Sequence, residues 1–230
     1  MKPTEPAEAP ALLEARGLAY LRNDEPIFGP LDFALHAGEV VLMEGDNGSG
    51  KTTLLRVLSG LLEASAGEIH LQGLPLTIAQ LSQQVALLGH HLGIKSELSP
   101  LQNLRFAIGL CGLRHGITPH QALLSVGLGG YEDVAVKQLS AGQKKRVALA
   151  RLLLVPATLW LLDEPYANLD RGGIELVNRL LELHARRGGA ALITSHGAYA
   201  YTSGTPRRIA LRPTSPTSTR AMDSSSGARA

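Results

Sequence analysis

Gly45-Asp46-Asn47-Gly48-Ser49-Gly50-Lys51-Thr52 has the form G-x-x-x-x-G-K-[ST], that of a phosphate-binding loop between a strand and a helix. The residues on either side agree with it. Val40-Val41-Leu42-Met43-Glu44 is the apolar, β-branched run of a buried strand. Thr53-Leu54-Leu55-Arg56-Val57-Leu58-Ser59 puts Leu54, Leu55 and Leu58 on one helical face, and Gly60 supplies the left-handed residue that ends a helix. Gly45, Gly48 and Gly50 are expected at positive φ, where the backbone can close on a ligand. The N–H groups of this stretch, from Asp46 and Asn47 through Ser49 to Thr53, then form an anion nest at a helix N-terminus. Lys51 is expected to reach β- and γ-phosphates, and the Thr52 hydroxyl to ligate Mg²⁺.

A second stretch sharpens this reading. Leu159-Trp160-Leu161-Leu162 is a buried-strand run that ends in Asp163-Glu164. An aspartate at the carboxyl end of a parallel strand beside a phosphate loop is where Mg²⁺ is held in P-loop NTPases. Asp163 is therefore expected at the metal, and Glu164, one residue on, at the water that attacks the γ-phosphate.

Length and composition limit the alternatives. A chain of 230 residues suits one domain with a small insertion. The formal charge of +2 and the few aromatic residues argue against a nucleic-acid surface built on basic patches and stacking. A single cysteine, Cys111, excludes an internal disulfide and reads as a small core residue in a reducing compartment. The first residues lack the pattern of a secretory signal. The most apolar run, Leu152 to Leu162, is too short to span a bilayer and contains Pro156.

Along the chain, residues 1–11 read as a loose leader and residues 12–211 as the folded domain. Leu12 to Arg22 and Leu31 to Leu35 read as strands, His36 to Glu39 as a turn, Gly67 to Leu71 as a strand and Gly73 to Pro75 as a turn. Tyr20, on the first strand, is a candidate for stacking on an adenine ring. Ile78 to Leu88 starts helical and ends as a strand. Ser99-Pro100 is an N-cap followed by a first-turn proline, within a helical insertion over about 92–144. His90 and His91 lie in the polar loop before that insertion. They suggest a metal, although adjacent histidines seldom point at one ion. Residues 212–230, rich in Ser, Thr, Pro and Arg, read as a disordered tail.

Leu139-Ser140-Ala141-Gly142-Gln143, which opens an amphipathic helix, resembles the signature pentapeptide of ATP-binding-cassette ATPases, with Ala141 in place of a glycine. The phosphate loop, this signature, Asp163-Glu164, Asn168-Leu169-Asp170 and His196 occur in that family's order and spacing. The resemblance covers nearly all of the folded chain and implies an α/β fold: a RecA-like P-loop core with an antiparallel β-subdomain and a helical subdomain. It implies ATP and Mg²⁺ as cofactors, and a head-to-tail dimer in which Ser140, Gly142 and Gln143 meet the γ-phosphate bound by the partner. Lys51 and Glu164 would act in hydrolysis, with His196 as a switch histidine bonded to the γ-phosphate. His90 falls where the family usually has a glutamine near Mg²⁺, with His91 as the competing register.

Within the family, Gly89-His90, Gly93-Ile94-Lys95, Asn103 to Phe106 and Leu159 to Asp170 are similar to the ATP-binding subunits of bacterial cytochrome c maturation (haem-export) transporters. That resemblance implies polytopic membrane subunits as partners, a peripheral place on the cytoplasmic face of the inner membrane, and no nucleic acid. Three alternatives stay open on the sequence: a cassette for another substrate, a soluble cassette ATPase acting on nucleic acid or ribosomes, and a nucleotide switch with little turnover.

Overall fold

The computed structural model describes residues 11–195 and 206–212. His196 lies outside the described residues, as do nearly all of the leader and of the tail. In chain order the strands are β1 (Leu13–Arg22), β2 (Glu25–Leu35), β3 (Val40–Glu44), β4 (Ala66–Leu71), β5 (Leu74–Pro75), β6 (Val85–Leu88), β7 (Leu159–Asp163), β8 (Ala190–Thr194) and β9 (Arg207–Ala210). The helices are α1 (Lys51–Leu58), α2 (Ile78–Gln84), α3 (Pro100–Cys111), α4 (Pro119–Ser125), α5 (Ala141–Leu154) and α6 (Arg171–Arg186).

Among the described residues two sheets form. One has the order β2-β1-β4-β5, with antiparallel pairing. The other has the order β6-β7-β8-β3-β9 and is parallel throughout. The inner strands of the parallel sheet, β7, β8 and β3, are apolar on both faces, because helices or the other sheet cover each side. Residues alternate between two cores accordingly. Leu42, Leu162, Ala191 and Ile193 face the core shared with α5 and α6. Val41, Met43, Leu161 and Leu192 face the core shared with α1 and the antiparallel sheet. The helices α3 to α5 lie between β6 and β7 in the chain, as a helical insertion into the parallel sheet.

The α/β architecture expected from the sequence is the one observed, with three local differences. First, β2 begins at Glu25, ahead of Leu31. Asn23 and Asp24 both have positive φ, so a two-residue turn pairs Arg22 directly with Glu25. Second, Gln72-Gly73 makes the same kind of turn, so Leu74 and Pro75 belong to a strand rather than to the turn. Third, β9 was not expected as a strand. Its sequence, Arg207-Arg208-Ile209-Ala210, carries two charges, and its parallel partner β3 supplies the apolar side. Arg207 pairs with Glu39 and Arg208 with Glu44, each at 2.9 Å, which holds this edge in register.

Candidate functional site

The site lies at the carboxyl ends of β3, β7 and β8. At β3 the chain turns through the loop into α1, where Gly50, with φ 95°, is the N-cap. Gly48 and Gly50 take the left-handed conformation expected of them. Gly45 does not, and its requirement is space. A Cβ there would lie 2.5 Å from the Leu211 carbonyl oxygen and 2.6 Å from Ser49 Oγ. Asp46, Asn47 and Gly48 form the exposed crest of the loop, Ser49 is buried beneath it, and Thr53 is half-buried on α1.

Lys51 is buried, and its Nζ donates to the carbonyls of Gly45 at 2.5 Å and Asp46 at 2.9 Å. Burial holds its ammonium below the ordinary lysine value, against the opposing pull of Glu164, Asp163 and Asp46. The cation thus sits inside the curl of the loop, where an anion drawn in by the backbone N–H groups would meet it.

Asp163 ends β7 as a buried carboxylate with both oxygens engaged. Thr52 Oγ1 donates to Oδ2 at 2.8 Å, and Thr194 Oγ1 donates to Oδ1 at 2.7 Å. The phosphate loop, β7 and β8 are stitched together at this one group. Thr194, fully buried, also accepts the Glu164 N–H at 3.1 Å, so its hydroxyl is used as donor and acceptor together. A hydroxyl beside a carboxylate is a hard oxygen donor set, the kind Mg²⁺ takes. Glu164 is half-buried next to it and has φ 48°, a left-handed conformation that costs a residue with a side chain on the order of 1 kcal/mol or more. Lys145, on α5 and 8% exposed, donates Nζ to the carbonyls of Glu164 at 2.9 Å and Ala167 at 2.8 Å. Burial pulls this ammonium down to about 8, while the carboxylates of Glu164 and Asp163 oppose the shift.

The signature stretch opens α5. Ser140 is the N-cap of a capping box: its Oγ accepts the Gln143 N–H at 3.2 Å, and Gln143 Oε1 accepts the Ser140 N–H at 2.9 Å. The Ser140 hydroxyl keeps its proton to donate. Gln143 already contributes its side-chain oxygen to the cap. Ser140 and Ala141 are exposed, and Gly142 lies 4.0 Å, measured from an added Cβ, from the Asn168 carbonyl oxygen. Asp170 caps α6 by accepting the Gly173 N–H at 2.7 Å and stands 3.7 Å from Arg146 of α5.

The structure gathers Lys51, Thr52, Asp163 and Glu164 at the carboxyl end of the parallel sheet. Tyr20 is one ring removed from the loop: it stacks on Phe28, centroids 6.3 Å apart, and Phe28 Cβ is 3.4 Å from where a Gly50 Cβ would lie. His90 follows β6 into an exposed loop with His91. Among the described residues there is no group of three His, Cys, Asp or Glu able to hold a metal. Cys111, expected in the core, is half-buried and lines a cavity of about 210 Å³ with Arg151, Asn103 and Phe106.

Sequence reasoning missed Thr194 and Lys145. On the sequence Thr194 falls just past the strand Ala190 to Ile193, whereas the structure makes it the last, fully buried residue of β8, where a polar group requires a partner. Lys145 sits in a Lys-Lys-Arg run that reads as solvated. Its spacing to Ala148, Leu149 and Leu152 places it on the buried face of α5.

Comparisons with known proteins agree with this geometry. Residues 28–167 match the family model described as ABC transporter. A protein of Xanthomonas campestris pv. campestris named cytochrome c biogenesis ATP-binding export protein CcmA is 61% identical over 192 residues, 84% of this chain and 90% of that protein. A solved structure described as a putative ABC transporter ATP-binding protein from Pyrococcus furiosus superposes with a TM-score of 0.73 at 27% identity, covering 86% of this chain and 96% of that one. The dimeric ATP-binding cassette MJ0796 bound to ADP and Pi has the same fold, with a TM-score of 0.75 at 22% identity over 86% of this chain and 94% of that one.

Proposed function

This chain belongs to the ABC transporter family, and on that premise we propose that it is the ATP-hydrolysing subunit of a membrane ABC complex serving cytochrome c biogenesis, as its Xanthomonas relative is named. The chain is an ABC-type ATPase. The observation that carries the site reading is the junction of Thr52, Asp163 and Thr194, at 2.8 and 2.7 Å, with Glu164 the next residue along the chain.

ATP phosphates enter the nest of residues 45–53. The Lys51 ammonium leaves the loop carbonyls for the β- and γ-oxygens. Tyr20 supports the adenine from the β1 side. Thr52 and Asp163 would hold Mg²⁺, which would supply neutralisation of the phosphate charge. The Glu164 carboxylate orients the attacking water and takes its proton, and His196 donates to the γ-phosphate from the segment after β8. Ser140 and Gly142 complete the opposite site of a head-to-tail dimer, presenting a hydroxyl proton and a helix N-terminus to the partner's nucleotide.

The partners are polytopic membrane subunits, and the subunit sits peripherally on the cytoplasmic face of the inner membrane. No helix among the described residues is long and apolar enough to cross a membrane. Purifying the full chain with its membrane subunits tests this reading. ATP turnover is expected, and Glu164→Gln is expected to keep Mg-ATP and trap a dimer. A Glu164→Gln protein that stays monomeric in saturating Mg-ATP alongside those subunits overturns the sandwich. Deleting the gene is expected to remove haem-stained c-type cytochromes, and their persistence points to a cassette for another substrate.

A further inference from the structure

Glu164 bears the carboxylate that the hydrolysis reading depends on, and its backbone is held from both sides. On one side its N–H is fixed by Thr194 Oγ1 of β8 at 3.1 Å. On the other, its carbonyl accepts the Ala167 N–H at 3.2 Å and Lys145 Nζ at 2.9 Å. Lys145 is the one of these holders that belongs to α5. The same ammonium bonds the Ala167 carbonyl at 2.8 Å, so it spans the whole turn from Glu164 to Ala167. That turn lies between two left-handed residues, Glu164 at φ 48° and Asn168 at φ 61°, and it relaxes if the carbonyls that face α5 are released.

We propose that Lys145 is a positioning residue for ATP hydrolysis: it fastens the Glu164–Ala167 turn to α5, so that the Ser140 turn and the Glu164 carboxylate are set together. Lys145 acts through the Glu164 and Ala167 carbonyls that it bonds. It stands five residues after Ser140 on one rigid helix, so a shift of α5 that moves the Ser140 turn also moves Glu164. In a head-to-tail pair, contact of Ser140 with one nucleotide is then transmitted within the chain to the base acting on the other.

A role in packing alone predicts something different. Burying an ammonium is costly unless every proton is met, and methionine fills the same space without that cost. If Lys145 only fills the core, Lys145→Met keeps its rate and its stability. If it positions Glu164, Lys145→Met lowers kcat on the order of 10- to 100-fold, with nucleotide affinity unchanged within about twofold. Lys145→Arg, which keeps charge and donors, is expected to retain kcat within about threefold.

The inference rests on Glu164 acting as the base, and the tests separate the two ideas. In a Glu164→Gln background, adding Lys145→Met is expected to lower the residual rate by less than about twofold, since the residue acts through Glu164. In the nucleotide-free full chain, amide hydrogen exchange over residues 166–169 is expected to rise at least fivefold in Lys145→Met and to stay near wild type in Lys145→Arg. Unchanged kcat in Lys145→Met, an equal loss in the Glu164→Gln background, or unchanged exchange overturns the proposal. If wild type hydrolyses no ATP, the hydrolysis reading fails, and the exchange measurement still decides whether Lys145 holds the turn. Should Lys145→Met fail to fold, Lys145→Gln is measured in its place against the same outcomes.

Discussion

The strands β7 and β8 are closed at both ends by a single side chain, and the two closures differ in kind. At the amino ends His184 of α6 lies with Nε2 at 3.1 Å from the Thr158 carbonyl oxygen and 3.2 Å from that of Ala190. Its ring stacks on Trp160 with centroids 3.9 Å apart, and burial pushes its pKa down to about 4. At the carboxyl ends Thr194 bonds Asp163 and the Glu164 N–H. The amino-end closure joins a neutral ring to carbonyls and leaves no charge behind. The carboxyl-end closure fixes a carboxylate, whose charge and remaining lone pairs stay available to a cation. Ligands of open parallel sheets gather at the carboxyl ends of the strands, and here the polar chemistry of the two ends divides accordingly.

The largest expected effect lies at the carboxyl end. Glu164→Gln is expected to lower turnover by ~10²–10⁴, about 3–5 kcal/mol of barrier, with ATP binding and thermal stability retained. Steady-state hydrolysis measured beside a binding titration checks this. A matching loss of stability would mean that the two ends are not functionally distinct.

At the amino end acid is the probe. The folded pKa of His184, about 4, lies below its ordinary 6.5, so above pH 6.5 neither state binds the proton. As the pH falls from 6.5 towards 4 the unfolded chain takes a proton that the folded chain refuses. Stability is therefore lost over that window, by about 3 kcal/mol in all. Denaturant unfolding followed by the emission of Trp160, the one tryptophan of the sequence, reads this directly. His184→Leu is expected to flatten the acid limb and leave turnover per folded molecule unchanged.

Gly189 sharpens the same point sterically. A Cβ there would lie 2.3 Å from the His184 ring, so Gly189→Ala is expected to cost about 1–3 kcal/mol, visible as a lower melting temperature with an unaltered KM for ATP. The smallest effect is expected far from both ends. Lys137 and Glu97 pair at 2.7 Å but both are largely exposed, so Lys137→Ala should change stability by under about 1 kcal/mol.

The sequence makes the nucleotide end legible because phosphate chemistry constrains consecutive residues. Residues 45–52 and 159–164 each carry their pattern locally, and both α3 and α5 begin at the serines that cap them. Lys145 and Thr194 were not legible, because each gets its role from a partner 19 or more positions away that only the fold supplies. His184 is similar: on α6 it reads as a last-turn cation, whereas the fold closes over it and keeps it neutral. The short edge strand β9 escaped because pairing with β3, rather than its own composition, makes it a strand.

That edge has a consequence for anyone altering the gene. Leu211 donates its N–H to the Glu44 carbonyl at 2.7 Å, and its own carbonyl occupies the volume that a side chain on Gly45 would need. A stop codon introduced before codon 206 would remove the segment packed against Gly45 in the glycine-rich loop, and a purification handle or fluorescent fusion joined straight after Leu211 would begin beside it. Amino-terminal fusions, attached ahead of a strand in the other sheet, are the safer choice for labelling this protein.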